Sequence, residues 1–583
     1  MKRTLIALTL VIIMLTSIIS GCTVNKEIKS DTKTASNGND STTTPDALDG
    51  KLEHINYASE IPIVKEGHKV SLRFCLLTNP ALYASVENCW FFKFIEKFLN
   101  IDPKIEAVPV EAHSERLNLM FASKDVPDIV LGFGINTREI VKYGVNEGQL
   151  LSLNDYINPT YMPNVYKLSK EDPGLMASAT APDGNVYKIP RILDDEGTVE
   201  MVNIRQSWLD KLNLESPSTL DEFIETMRIF KKEDVDGHGS ENVYPLGGSL
   251  NYLNPLATII NAMGYNFPYS WASAAKGNGL TIAIRDGKAT FPCNDDIFYD
   301  FLSIAKTLYD EELISPDFFT MDQTKVNAMA VEGVYGYMCQ PMHVLLTEPK
   351  KYQEWFYIKP LTSKWNDTPQ VPQTSKYDMQ GIAISANTKY PEVCARFIDL
   401  YYGDNCFFMW NGAMDGTEET LGFKGWIWDE SANSEYYPDE PSAYNYISNI
   451  LMPYSLQFGL HSWRGEKMAK YAGKEYKKGL DISTLDLNQG GNWNTYGRVK
   501  MFYPYAKPAY PPIVYRSEED LEMLAEYSAV IGPYVTEQVA LFITGTRSLN
   551  EFEQYLKELK SLGMDEYEQY YIDEYQSYLE KQK

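Results

Sequence analysis

In the first part of the chain, the spacing of apolar positions changes between the two-residue period of a strand and the period of a helix. Residues 69–77 start with alternating apolar and polar positions and then become apolar, which predicts a strand. Apolar residues recur at helical spacing from Trp90 to Leu99, and the runs 105–110 and 128–133 predict strands on either side of a helix that ends before Pro127. This strand–helix order predicts a parallel sheet of βαβ units.

The mixed pattern continues to the end of the chain. It predicts a hairpin at 182–190, strands at 199–204, 333–338 and 381–385, and helices at 256–263, 297–309, 391–402 and from about 565. Thr219 with Glu222, and Ser548 with Glu551, have the spacing of a capping box. Gly563 predicts the end of the helix that follows Ser548. The chain is therefore expected to be an α/β protein with a helical C-terminus.

The N-terminus has the pattern of an export signal. Lys2 and Arg3 precede an apolar stretch at 5–19, which is shorter than the ~20 residues that span a bilayer. Residues 1–21 are thus predicted to be a signal peptide. The junction Ser20-Gly21-Cys22 resembles the bacterial lipobox, which implies a diacylglyceryl lipid on Cys22 and stable anchoring by two acyl chains. An ordinary signal followed by a free cysteine is the alternative.

The segment after Cys22 changes composition. Residues 23–50 are rich in Ser, Thr, Asp, Asn and Gly and contain few large apolar side chains, so they cannot bury enough surface to fold. Residues 22–60 are therefore predicted to be the lipidated cysteine and a flexible tether. The remaining ~520 residues exceed what one hydrophobic core supports, which predicts at least two lobes.

Charge and composition indicate which kinds of ligand and site are to be expected. The formal net charge of −26 repels nucleic acid, and no basic patch with interleaved aromatic residues occurs. The 41 Tyr, 24 Phe and 10 Trp suit carbohydrate binding, although most such rings are expected in the core. The six cysteines after Cys22 lack the spacing of a zinc site and are expected to be buried thiols, with a Cys75–Cys89 disulfide left open.

Five stretches of the chain resemble family 1 extracellular solute-binding proteins, in particular the carbohydrate ABC transporter lipoproteins of Firmicutes. These stretches are 120–129 (MFASKDVPDI), 182–190 (PDGNVYKIP), 204–214 (IRQSWLDKLNL), 381–385 (GIAIS), and 542–545 (FITG) with 549–563 after it. The resemblance implies a two-lobed α/β fold of the periplasmic-binding-protein type with the ligand in the cleft. Lobe 1 would comprise about 65–195 and 378–430, lobe 2 about 196–377 and 431–583, and the first crossing would lie near residues 192–201.

The resemblance also implies the function. The protein would capture a sugar or oligosaccharide on the outer face of the membrane as a lipid-anchored monomer and deliver it to ABC permease subunits. Catalysis is not expected, because the six His form no nucleophile or zinc pattern and no phosphate-binding loop occurs. A surface sensor or adhesin on the same fold and a secreted carbohydrate-active enzyme remain alternatives, since a glycosidase needs only two of the many carboxylates.

Candidate sugar contacts follow from the ends of strands that would face the cleft. Polar candidates are Asn79, Asn136, Arg191, Gln340, Tyr377 and Gln380, and ring candidates are Trp271, Trp410, Trp463 and Trp493. Arg191 could form bidentate hydrogen bonds to hydroxyls or to a uronate carboxylate.

One segment has the pattern of a calcium loop. Residues 234–242 (DVDGHGSEN) place Asp234, Asp236 and His238 at the first, third and fifth positions of an EF-hand-like loop. Some alginate-binding and related members of the family carry calcium here, which implies Asp234, Asp236, His238, Asn242 and the Ser240 carbonyl as ligands of a structural Ca²⁺. His238 and Val243 depart from this pattern, because calcium prefers oxygen to imidazole and a Glu is common at position 243. A plain solvated turn is the alternative.

Overall fold

The computed structural model describes most of the chain beyond the N-terminal segment. The described residues are 52–78, 86–132, 134–193, 202–268, 279–346, 348–373, 375–430, 433–438, 440, 446–453, 463–477, 482–511 and 513–581. The predicted signal peptide, Cys22, most of the predicted tether, Asn79 and Trp271 lie outside them.

Short strands and longer helices alternate through the described residues. The strands are β1 (Val70–Thr78), β2 (Ile101–Pro109), β3 (Ile129–Leu131), β4 (Arg191–Ile192), β5 (Asn203–Ile204), β6 (Ala283–Arg285), β7 (Lys288–Thr290), β8 (Tyr337–Met338), β9 (Phe356–Tyr357), β10 (Val371–Pro372), β11 (Tyr377–Asp378), β12 (Ile382–Ile384), β13 (Ile427–Asp429), β14 (Ser434–Tyr436) and β15 (Ala506–Lys507). The helices are α1 (Trp90–Phe98), α2 (His113–Ala122), α3 (Thr137–Glu139), α4 (Pro163–Glu171), α5 (Pro173–Ala179), α6 (Gln206–Leu212), α7 (Leu220–Glu233), α8 (Leu256–Ala262), α9 (Phe298–Asp310), α10 (Gln323–Glu332), α11 (Met342–Leu345), α12 (Pro349–Tyr352), α13 (Pro391–Leu400), α14 (Trp463–Tyr471), α15 (Gly490–Met501), α16 (Glu518–Ile543), α17 (Phe552–Ser561) and α18 (Met564–Lys581).

The first sheet confirms the predicted βαβ arrangement. Its strand order is β12-β3-β1-β2, with β1 parallel to both β2 and β3 and with β12 antiparallel to β3. Strand β2 begins at Ile101, four residues before the predicted start, and it includes Pro103. A proline is tolerated there because β2 is the edge strand and its missing N–H leaves no partner strand unsatisfied.

The second sheet is antiparallel and smaller than the sequence predicts. Strand β5 lies between β8 and β9, and Asn203 is paired with both Met338 and Tyr357. The strands predicted at 199–204 and 333–338 are observed only as β5 and β8. Residues 194–201 lie outside the described part of the chain.

Each sheet has its own hydrophobic core. Buried residues of the first include Cys75, Phe121, Val130 and Ala383. A larger core surrounds the second sheet and includes Ile204, Trp208, Phe223, Tyr337, Trp493 and Phe542. Two separately packed sheets are the arrangement expected of two α/β lobes.

The lobe boundaries stay predictions, and one helix bears on them. Phe408 packs on Phe94 of α1 with ring centroids 4.9 Å apart, and Phe407 packs on Tyr471 of α14 at 4.9 Å. These rings connect α14 with the half of the molecule that holds the parallel sheet, although the predicted second lobe resumes at residue 431.

Two strand pairs link segments that are distant in the chain. Strand β4 is antiparallel to β11, with Arg191 opposite Asp378 and Ile192 opposite Tyr377. Strand β10 is parallel to β15, with Val371 opposite Ala506. We call these pairs the crossing strands, since β4 lies at the start of the predicted first crossing.

The sequence motifs that mark helix ends and turns are only partly confirmed. The Thr219–Glu222 capping box is confirmed, and Gly563 follows α17 with a left-handed φ of 87°. The Ser548–Glu551 box is wrong, because the Ser548 hydroxyl accepts from the Asn550 N–H and a 3-10 turn precedes α17. The hairpin at 182–190 is also wrong in extent. A tight turn there forms a single antiparallel bridge between Thr180 and Val186.

Candidate functional site

The carboxyl end of β8 places a buried amide beside the neighbouring strand. Gln340 follows β8 after Cys339, and its backbone carbonyl accepts a 2.6 Å hydrogen bond from Asn203 Nδ2 of β5. The Gln340 side chain is only 6% exposed. Its Nε2 donor is shielded from water and has no hydrogen-bond partner among the described residues. A buried donor of this kind is costly unless a ligand satisfies it.

His343 follows Gln340 by three residues and lies in the first turn of α11. The imidazole packs 6.2 Å from the ring of Trp493 in α15. The two helices approach so closely that a Cβ on Gly490 would lie 2.8 Å from the His343 Cβ. Burial lowers the pKa of His343 to about 4, and its Nδ1 has no partner among the described residues. At neutral pH the ring is therefore uncharged, with one donor and one acceptor.

Trp493 is a buried core side chain that packs against His343, and its ring has no solvent-exposed face. Its side chain is 3% exposed and belongs to the large core. Its ring centroid is 5.1 Å from that of Tyr357 and 5.5 Å from that of Tyr352. The hydroxyl of Tyr357 donates to Asn494 Oδ1 at 2.5 Å. In this structure, Trp493 packs against protein rings on several sides, so the predicted stacking on a sugar is not available to it.

A second group of polar and aromatic side chains surrounds Trp410. The indole is 4% exposed, and the Arg464 guanidinium lies 4.9 Å from its ring centroid. Glu435 accepts from Arg464 at 3.4 Å and from Asn411 Nδ2 at 2.9 Å. Asn411 is fully buried, and its Oδ1 has no partner among the described residues. This Trp410 cluster thus combines a ring, a charge pair and a buried acceptor.

Two predicted contacts, Arg191 and Tyr377, lie on the crossing strands and are held by protein groups, and Gln380 lies two residues after β11. Arg191 Nε donates to Asp378 at 2.9 Å, and the two side chains are 14% and 20% exposed. The Tyr377 hydroxyl donates to Asp172 at 2.6 Å, and burial together with that carboxylate raises the pKa of Tyr377 to about 12. Gln380 is exposed, and its backbone N–H donates to the Asp378 carboxylate at 2.9 Å.

The other predicted contacts are less informative. Asn136 is exposed and caps α3, where its side chain accepts from the Arg138 N–H while Glu139 completes a capping box. Trp463 is the first residue of α14.

Sequence reasoning missed Lys188, a buried lysine between the loop after β3 and the segment after β11. Its side chain is 2% exposed, and its ammonium donates to the carbonyls of Ile135 and Met379. Burial lowers the pKa of Lys188 to about 8. A single lysine in an alternating stretch gives no sequence signal, because its burial depends on two carbonyls that are distant in the chain.

The cysteines and the candidate metal ligands test two further expectations. All six described cysteines are buried free thiols, so the Cys75–Cys89 disulfide is not formed. Within the described ranges, no group of three or more His, Cys, Asp and Glu side chains is placed to hold a metal ion. No helix of the described residues is both long and apolar enough to cross a membrane.

The loop at 234–243 does not fit calcium. The Asp234 carboxylate accepts from the backbone N–H groups of His238 and Gly239, at 2.9 Å each. Asp236 is bound by cationic side chains, and Asn242 points its amide donor at the His238 carbonyl at 2.9 Å. Val243, at the position where a Glu is common, is fully buried in the core. The set therefore lacks the free carboxylate oxygens that calcium requires.

Comparisons with known proteins agree with this fold. No family model matches the chain. The fructooligosaccharide ABC transporter substrate-binding protein FusA of Streptococcus pneumoniae is 24% identical over 487 residues, which cover 80% of this chain and 83% of FusA. Lipoprotein LipO of Bacillus subtilis is 28% identical over 245 residues, which cover 42% of this chain and 45% of LipO.

Solved structures extend the likeness across most of the chain. FusA in complex with kestose has a TM-score of 0.66 at 21% identity, covering 88% of this chain and 100% of that one. A human-milk-oligosaccharide (HMO) binding, ABC-transporter-associated solute-binding protein from Bifidobacterium longum infantis has a TM-score of 0.67 at 18% identity, covering 88% and 99%. The chain therefore has the solute-binding protein fold and is a sequence relative of ABC transporter substrate-binding proteins.

Proposed function

We propose that the protein captures an oligosaccharide outside the cell and presents it to an ABC importer without chemically changing it. The observation that carries this proposal is the Gln340 Nε2 donor at the carboxyl end of β8, which is buried and has no partner among the described residues, three residues before the buried, neutral imidazole of His343. FusA and the Bifidobacterium protein, which share the fold, are named for binding oligosaccharides.

Sugar hydroxyls complement the groups at this site. Each hydroxyl both donates and accepts, so it can accept from Gln340 Nε2 and donate to an imidazole nitrogen. Each polar group left unpaired in a closed, dry site costs about 1–3 kcal/mol, which makes the pairing selective. The proposal needs no metal ion, because amide, imidazole and hydroxyl groups provide all of these contacts.

The proposed location follows from the first residues of the chain. Lipid on Cys22 would hold the protein at the outer face of the membrane. The tether would be shorter than the predicted 22–60, because Ile55 is buried and the Glu60 carboxylate accepts from the backbone N–H groups of Asp404 and Asn405. LipO, a relative over part of the chain, is named as a lipoprotein. A single chain would bind the sugar, and the closed form would be the one that permease subunits recognise.

Calorimetry against a set of sugars tests the proposal. The set would contain fructooligosaccharides such as kestose, human milk oligosaccharides and oligogalacturonates. We expect micromolar or tighter binding of at least one oligosaccharide, with a smaller radius of gyration in small-angle scattering and with the sugar recovered intact by chromatography. Hydrolysed sugar would support the enzyme alternative, and binding of peptides alone would contradict the carbohydrate assignment.

A further inference from the structure

Within the loop at 234–243, the carboxylate of the first aspartate is bonded to the loop's own backbone. Asp234 ends α7 with a left-handed φ of 43°, and its two carboxylate oxygens accept from the N–H groups of His238 and Gly239. These bonds fold the loop back on its first residue without any ion. Asp234 therefore serves as a turn-forming side chain.

The second aspartate is held by groups outside the loop. Asp236 Oδ2 accepts from Trp208 Nε1 at 2.8 Å and from an Arg205 guanidinium nitrogen at 2.9 Å. Asp236 Oδ1 accepts from Lys211 Nζ at 2.7 Å. Burial pushes the pKa of Asp236 up, but the bonds from Lys211 and Trp208 and the charge of Arg205 outweigh burial and lower it. Both oxygens thus already have cationic partners.

Arg205 is a fixed part of the structure. Its side chain is 12% exposed, and its guanidinium also donates to the Gly333 carbonyl at 2.8 Å and to Glu354 at 2.9 Å. The same group lies 5.0 Å from the Trp208 ring centroid. Because these contacts already fix the Arg205 side chain, pairing its guanidinium with the Asp236 carboxylate costs little further side-chain entropy.

We propose that the guanidinium of Arg205, assisted by Lys211, replaces calcium as the cation that holds the 234–243 loop against α6. The loop would then be independent of calcium outside the cell. Val243 supports this assignment, because its full burial in the core leaves no carboxylate at the position that would complete a metal site.

Thermal unfolding of the full chain in CaCl₂ and in EGTA tests the replacement. If the loop bound calcium, a calcium concentration about 1,000 times the dissociation constant would raise the melting temperature of a protein of this length by about 4 °C. We expect the wild-type melting temperature to agree within about 1 °C in the two buffers. A fall of about 4 °C in EGTA that Asp236→Asn abolishes would overturn the proposal.

A double-mutant cycle tests the pairing itself. Arg205→Gln and Asp236→Asn should each lower the melting temperature equally in both buffers, and the double variant should lose clearly less than the sum, since each change removes the same pair. Additive losses would contradict the pairing. Should Arg205→Gln fail to fold, the cycle of Lys211→Gln with Asp236→Asn measures the coupling of the second cation to the same carboxylate, and additive losses there would contradict the assisting role of Lys211. Lys211 suits this purpose because its side chain is 56% exposed.

Discussion

Replacing Gln340 by Met should raise stability and lower sugar affinity at the same time. Met is unbranched and of similar length, so it fills the same space without a donor. The wild-type Nε2 is buried without a partner among the described residues, and such a group costs about 1–3 kcal/mol. We therefore expect the free energy of unfolding of the ligand-free protein to rise by about 1 kcal/mol or more. Affinity should fall about 10- to 100-fold, because a sugar hydroxyl then loses its partner.

A second buried glutamine gives a matched control with the opposite expectation. Gln538 in α16 is 8% exposed, and its Oε1 accepts from Arg547 at 2.6 Å. Gln538→Met leaves that guanidinium short of an acceptor, so stability should fall by about 1–2 kcal/mol while sugar binding stays unchanged. Urea unfolding and calorimetry measure both quantities. If Gln340→Met lowers stability and leaves affinity intact, then Gln340 is a structural residue and the reasoning is refuted.

Three further outcomes follow from the structure and the sequence. Trp493→Ala should lower the free energy of unfolding by about 3–5 kcal/mol in urea, because the ring is a core side chain, and an unchanged stability would contradict this burial. Asp399 is a pH-dependent group: burial raises its pKa to about 7, against the bonds from Val165 and Asn164 and the charge of Arg396. Because the pKa of Asp399 in the folded protein exceeds its ordinary value, the free energy of unfolding should fall by about 1.4 kcal/mol for each unit by which the pH rises from 4 to 7. Asp399→Asn should remove this slope in melts across that range. Cys22→Ala should release the protein into the medium or leave it unprocessed, and membrane retention with normal processing, seen by fractionation, would argue against the lipid anchor.

Elements with a strong local pattern were predicted best from the sequence. Strand β1 was predicted within a residue at each end, because its alternating apolar and polar positions and the turn after it are local signals. The start of β2 was missed, since Pro103 reads as a strand breaker unless one knows that the strand lies at the edge of the sheet. Ser548 was assigned the wrong partner because a 3-10 turn and a capping box have the same spacing in sequence.

The candidate site was predicted only where a strand end determined it. Gln340 follows from the end of a predicted strand, whereas the buried imidazole of His343, three residues later, was not selected from the sequence. Trp410 and Trp493 are both buried, and composition cannot distinguish such rings from open ones. The departures at His238 and Val243 were visible in the sequence, but the cations on Asp236 come from α6 and the residue before it, which only the fold brings to the loop.

Polar contacts tie one pair of the crossing strands, β4 and β11, to a neighbouring helix. Arg191 lies directly opposite Asp378, and the two charges neutralise each other in a largely buried pair. From the same strand pair, the Tyr377 hydroxyl and Lys376 Nζ bind the two oxygens of Asp172, at 2.6 and 2.8 Å, just before α5. The β4–β11 pair is therefore tied to the start of α5 by three polar side chains, those of Tyr377, Lys376 and Asp172, and should move with it as one body.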